Sequence, residues 1–127
     1  MDLRFKPGST MLVCGSSKSG KSCLVMEMLS SPEIFVQPSA LLNTYYFYRE
    51  WNEELFTDAL QKGIVKKFFN FNPAAEDVRE LARPHKLRGS TIIIDDWQFK
   101  LTKTTHEIFS MGKYCGKEHL FFILIVC

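Results

Sequence analysis

The stretch Gly15-Ser16-Ser17-Lys18-Ser19-Gly20-Lys21-Ser22, "GSSKSGKS", stands between two apolar runs, "MLVC" before it and "CLVMEML" behind it. Its spacing is G-x-x-x-x-G-K-[ST], the phosphate-loop pattern, in which successive backbone N–H groups surround phosphate oxygens. In that pattern the lysine reaches the terminal phosphates and the hydroxyl ligates Mg2+. Gly15 and Gly20 let the chain curl and approach an anion with no Cβ in the way. Lys21 and Ser22 open a helix whose first amides and dipole favour negative charge. A plain polar turn is the competing reading, and the flanks decide between the two.

A phosphate loop needs a strand before it and a helix after it. Residues 11–14 form a short continuous apolar run behind the Pro7-Gly8 turn, as expected of a strand buried in a parallel sheet. Over 21–29, Leu24 and Met28, and Val25 and Leu29, pair at i,i+4 on a helical face, and Pro32 blocks continuation. Both conditions hold, so the phosphate reading stands. The nucleotide-binding set is then Gly15, Ser16, Ser17, Lys18, Ser19, Gly20, Lys21, Ser22 and Cys23.

Further along, aromatic residues over 43–48 suggest a second strand, and residues 51–61 a helix carrying Trp51, Leu55, Phe56 and Leu60 at helical spacing. "KKFFNFNP" offers a short extra strand ended by Pro73, and "AAEDVRELAR" a short helix closed by Pro84. "TIIIDD" is a strand of β-branched residues, "KTTHEIFSMGKYC" a helix, and "HLFFILIV" a further strand. Strands alternating with helices of this length indicate an α/β fold, a parallel sheet with helices on both faces, in one domain spanning 1–127.

"TIIIDDW" supplies a second half for the site. Ile92, Ile93 and Ile94 deliver Asp95 and Asp96 to the carboxyl end of a parallel strand, where ligands of open α/β sheets gather. In the Walker B arrangement the first carboxylate, here Asp95, binds the Mg2+ already held by the hydroxyl of Ser22. The second, Asp96, orients or deprotonates a water for attack on the γ-phosphate. Turn and capping chemistry is the plainer explanation of an Asp-Asp pair at a strand end. No D-x-x-G or N-K-x-D occurs, which weakens a GTPase reading, and the glycine-loop and catalytic-loop signatures of protein kinases are missing.

Taken together, "STMLVCGSSKSGKS", "YYFYREW", "IIIDDW" and "HEIFSMGKYCGKEHLFFILIV" resemble the viral genome-packaging ATPases of the FtsK-HerA superfamily. The branch in question is that of poxvirus-type packaging ATPases and their relatives in adenovirus-like and Polinton-type elements. The resemblance covers nearly the whole chain. It implies a P-loop NTPase with a RecA-like core of strand order 5-1-4-3-2, homo-oligomeric rings around double-stranded DNA, and ATP-driven movement of a genome into a capsid, with a capsid or portal component as partner. It also carries Lys21 and Ser22 onto ATP and Mg2+ binding, Asp95 onto Mg2+, and Asp96 onto water activation. In that family a polar sensor follows the strand that here runs to Cys127. We therefore expect this chain to be the front part of a longer domain. A nucleotide-binding module without turnover and a P-loop kinase are the alternatives.

Composition sets the outer bounds. The chain has 127 residues, 46% hydrophobic and 24% charged, enough for one globular domain with a core. A net charge of +2 does not by itself announce a nucleic-acid binder. Cys14, Cys23, Cys115 and Cys127 form no C-x-x-C pair, which suits a reduced intracellular compartment. No run reaches the length of a membrane span, and a membrane partner is not expected. Ring motors complete each site with an arginine from a neighbour; Arg49, Arg83 and Arg88 are the candidates, and solvated surface positions explain them as well. The basic run "RPHKLR" is open to both a DNA contact and a polar loop. His106, Cys115 and His119 match no familiar zinc spacing.

Overall fold

A computed structural model describes residues 10–14, 20–34, 38–73, 75–85, 89–95 and 120–126. Five strands carry the architecture: β1 (Thr10–Cys14), β2 (Thr44–Phe47), β3 (Lys67–Phe69), β4 (Ser90–Asp95) and β5 (Leu120–Val126). Among the described residues three α-helices are interleaved with them, α1 (Lys21–Leu29), α2 (Glu53–Gln61) and α3 (Ala75–Ala82). All neighbouring strands run parallel, in the order β1-β5-β4-β2-β3. One strand, β5, therefore lies between β1 and β4. The helix expected over 103–115 lies outside the described residues.

The order of strands dictates where the helices go. The chain moves outward from β1 to β2 and β3, then doubles back to β4. Right-handed crossovers put helices on one face during the outward run and on the other during the return. The core divides in that way. Val25, Met26 and Leu29 of α1 and Phe56 and Ala59 of α2 pack with Tyr46, Ile93, Ile123 and Ile125 on one face. Val78 of α3 packs with Tyr45, Phe47, Ile92, Ile94 and Leu124 on the other. Because side chains alternate along a strand, a sheet covered on both faces needs uninterrupted apolar strands, and Ile92, Ile93 and Ile94 are all fully buried.

Register makes the first of these faces continuous. Phe68, Tyr46, Ile93, Ile123 and Met11 stand side by side across the five strands. Polar residues secure the strand entrances. The Asn43 amide donates to the Gly89 carbonyl at 3.1 Å, tying the start of β2 to the start of β4, and Thr44 Oγ1 donates to the Leu41 carbonyl at 2.8 Å, fixing the turn that leads into β2.

Four local expectations need correction. The second helix begins at Glu53 rather than 51, because the Asn52 side chain accepts from the Leu55 N–H and caps it there. Trp51 and Leu60 stay largely exposed, while Phe56, as expected, is buried, with Ala59 beside it and Leu55 packed against the same core. In α1 the buried face is Val25, Met26 and Leu29, with Leu24 half exposed. The run 11–14 also proves only partly buried: among the described residues β1 is an edge of the sheet, with Met11 and Val13 half-buried and Cys14 exposed.

Candidate functional site

β4 ends at Asp95, two residues beyond Ile93 and so on the same face, the one covered by α1. The first turn of α1 lies against that strand end. Ser22 Oγ donates to Asp95 Oδ2 at 2.9 Å, closing a contact between residues 73 positions apart in sequence. The pairing joins the two halves of the site expected from the sequence. Ser22 and Asp95 are each half-buried, at the carboxyl edge of the sheet.

A third group completes the arrangement. Tyr46 reaches up from β2, and its hydroxyl donates to the same Asp95 Oδ2 at 2.5 Å. Tyr46 pairs in register with Ile93, so its long side chain spans the two residues to Asp95 along the face they share. The ring is wholly buried. Burial above all, and then the negative charge and hydrogen bond of Asp95, push the phenol well above its usual range, with Ser22 acting weakly the other way. The phenol stays protonated and therefore remains a donor.

The start of α1 is formed by backbone alone. Gly20 caps α1 at φ +80°, a left-handed backbone that glycine adopts without strain. No side chain caps the helix and no acidic residue sits in its first turn. The helix thus brings no side-chain cap or acidic residue of its own to its first amides, and the carboxylate beside its first turn is that of Asp95. Lys21 is buried in this turn, while Cys23 is exposed.

A serine hydroxyl beside a carboxylate is a hard-oxygen pair, the donor type that Mg2+ takes. Among the described residues no three of His, Cys, Asp and Glu cluster. Mg2+ does not require such a cluster, since one or two protein oxygens together with substrate phosphates and water hold it. Ser22 and Asp95 therefore fit the ion the sequence implied.

Of the expected site residues, Gly20, Lys21, Ser22 and Asp95 come together. Gly15, Ser16, Ser17, Lys18, Ser19 and Asp96 lie outside the described residues, as do Arg88, His106, Cys115 and His119. Arg49 is exposed, and Arg83 is exposed in an i,i+3 pair with Glu80 at 3.0 Å. Sequence reading missed Tyr46. "NTYYFY" marks an aromatic strand, but only the pairing of β2 with β4 shows which of its tyrosines faces Asp95. No family model and no curated protein matches the chain. Fold and site alone define an all-parallel α/β domain with a serine–aspartate–tyrosine group at the carboxyl edge of its sheet. Among the described residues no helix is long and apolar enough to cross a membrane.

Proposed function

We propose that the chain is a P-loop ATPase domain whose hydrolysis of ATP drives movement of double-stranded DNA, as in packaging a viral genome. The observation that carries the nucleotide half is the Ser22–Asp95 hydrogen bond, which joins the G-x-x-x-x-G-K-S helix to an acid at the end of a neighbouring parallel strand. A hydroxyl that gives its proton to a carboxylate keeps its lone pairs for a cation, so Ser22 and Asp95 are suited to hold Mg2+ together. The strand order supports the same reading, since a single strand separates β1 from β4 as in a RecA-like core, with β3 as an added edge. The DNA half rests on the resemblance of "YYFYREW" and "IIIDDW" to packaging ATPases, and with it come the homo-oligomeric ring and a capsid or portal partner.

Each residue has a defined task in this reading. The amides that follow Gly20 hold phosphate oxygens, Lys21 neutralises charge on the terminal phosphates, and Asp96 takes a proton from the attacking water. Bound Mg2+ supplies Lewis-acid stabilisation of charge on the β- and γ-phosphate oxygens. Steady-state ATP hydrolysis with and without double-stranded DNA, using Lys21→Ala as control, tests the proposal. Turnover raised by DNA and absent from the control supports it. Turnover indifferent to DNA removes the motor and keeps the nucleotide site, and no turnover in either protein removes the ATPase.

A further inference from the structure

We propose that Tyr46 is a positioning residue of the cation site: its buried hydroxyl fixes the Asp95 carboxylate beside Ser22 and so sets how tightly the pair holds a divalent ion. This rests on the Mg2+-nucleotide reading above. Both donors converge on one oxygen, Oδ2, from two different elements, Ser22 from α1 and Tyr46 from β2. Two directed bonds to one oxygen define the carboxylate plane, where a single bond leaves the group free to turn about its broad χ2 well.

The phenol is itself held fast. Its ring lies 5.0 Å from Phe56 and 5.2 Å from Phe68, and those two rings stack at 4.7 Å. No part of Tyr46 reaches solvent, so its hydroxyl has little freedom to seek another acceptor. A buried tyrosine that merely fills the core would be served equally well by phenylalanine. Placement of the hydroxyl against the acid that faces Ser22 is what separates the two roles. Loss of the donor also leaves Asp95 a more basic ligand, an effect of opposite sign. Removing groups that orient metal ligands nonetheless typically weakens metal binding about 10- to 100-fold, so orientation is the larger effect.

The test is binding of a fluorescent ATP analogue to the full chain, in EDTA and across a Mg2+ series, for wild type, Tyr46→Phe and Tyr45→Phe. Tyr45 is a buried tyrosine of the same strand that faces the opposite side of the sheet, which makes it the matched control. Tyr46→Phe is expected to match wild type in EDTA and to need about ten-fold more Mg2+ for half of the metal-dependent gain, with Tyr45→Phe unchanged. An unaltered Mg2+ requirement, or an equal loss with and without Mg2+, overturns the positioning role and leaves the nucleotide reading intact. A wild type with no metal-dependent gain overturns both. Should Tyr46→Phe fail to fold, the near-ultraviolet tyrosine band of Tyr45→Phe is followed while Mg2+ and ATP are added; a shift supports the role and a flat response overturns it.

Discussion

Tyr46 carries two consequences that can be measured apart, one at the cation site and one in stability. Its folded-state pKa is raised, chiefly by burial and secondarily by Asp95. The unfolded chain therefore ionises first, near the usual phenol value of about 10. The stability contributed by the neutral phenol is fully present below that pH and is lost as pH rises through the folded-state value. Phenylalanine has no proton to lose. We expect the urea midpoint of wild type to fall relative to that of Tyr46→Phe between about pH 9 and pH 11, with the difference constant below that window. A parallel pH dependence for the two proteins would mean that the hydroxyl is not shielded in the folded state.

At the scale of elements, α2 shows both of its ends closed by local chemistry. Asn52 caps the start through the Leu55 N–H at 3.2 Å. The end is a Schellman motif: the Gly63 N–H donates to Leu60 and the Ile64 N–H to Ala59, with Gly63 at φ +71°. Replacing Asn52 by Ala should cost about 1 kcal/mol. Gly63→Ala should cost about 1 to 2 kcal/mol from backbone conformation alone, since an added Cβ would meet nothing within 4 Å. The two sites lie about 14 Å or more apart along the helix, so the double variant should show the sum in chemical denaturation. Marked departure from additivity would mean that the helix ends are coupled through the core.

For the molecule as a whole, the two faces of the sheet should fail differently. Ile93 is fully buried, paired with Tyr46 and Ile123, and two residues from Asp95 on the same face. Ile93→Ala should cost about 2 to 5 kcal/mol, a large share of the roughly 5 to 15 kcal/mol that holds a domain together. By loosening the strand beneath Asp95 it should also raise the Mg2+ requirement for nucleotide binding. Val78→Ala, on the α3 face, should cost about 2 kcal/mol and leave that requirement unchanged. Thermal unfolding alongside metal-dependent nucleotide binding checks both, and equal effects on the Mg2+ requirement would contradict a site confined to the α1 face.

Local pattern determined much of this protein in advance. The limits of α1, the strand ending in Asp95 and the apolar run 120–126 are legible because turn chemistry and apolar periodicity act over a few residues. The same short range explains the choice of Gly20, Lys21, Ser22 and Asp95, whose spacings are fixed within their own segments. Where a helix begins and which of its apolar residues is buried was less legible: Asn52 outcompeted Trp51 at the start of α2, and Leu24 and Leu60 remained exposed because the sheet covers only part of each helix. The tyrosine that joins the site could not be chosen from the sequence at all. Tyr45, Tyr46 and Tyr48 are chemically alike, and neighbours alternate between the faces of a strand. Only the parallel pairing of β2 with β4 selects Tyr46, because a contact between distant segments is set by register and strand order, which no local spacing encodes.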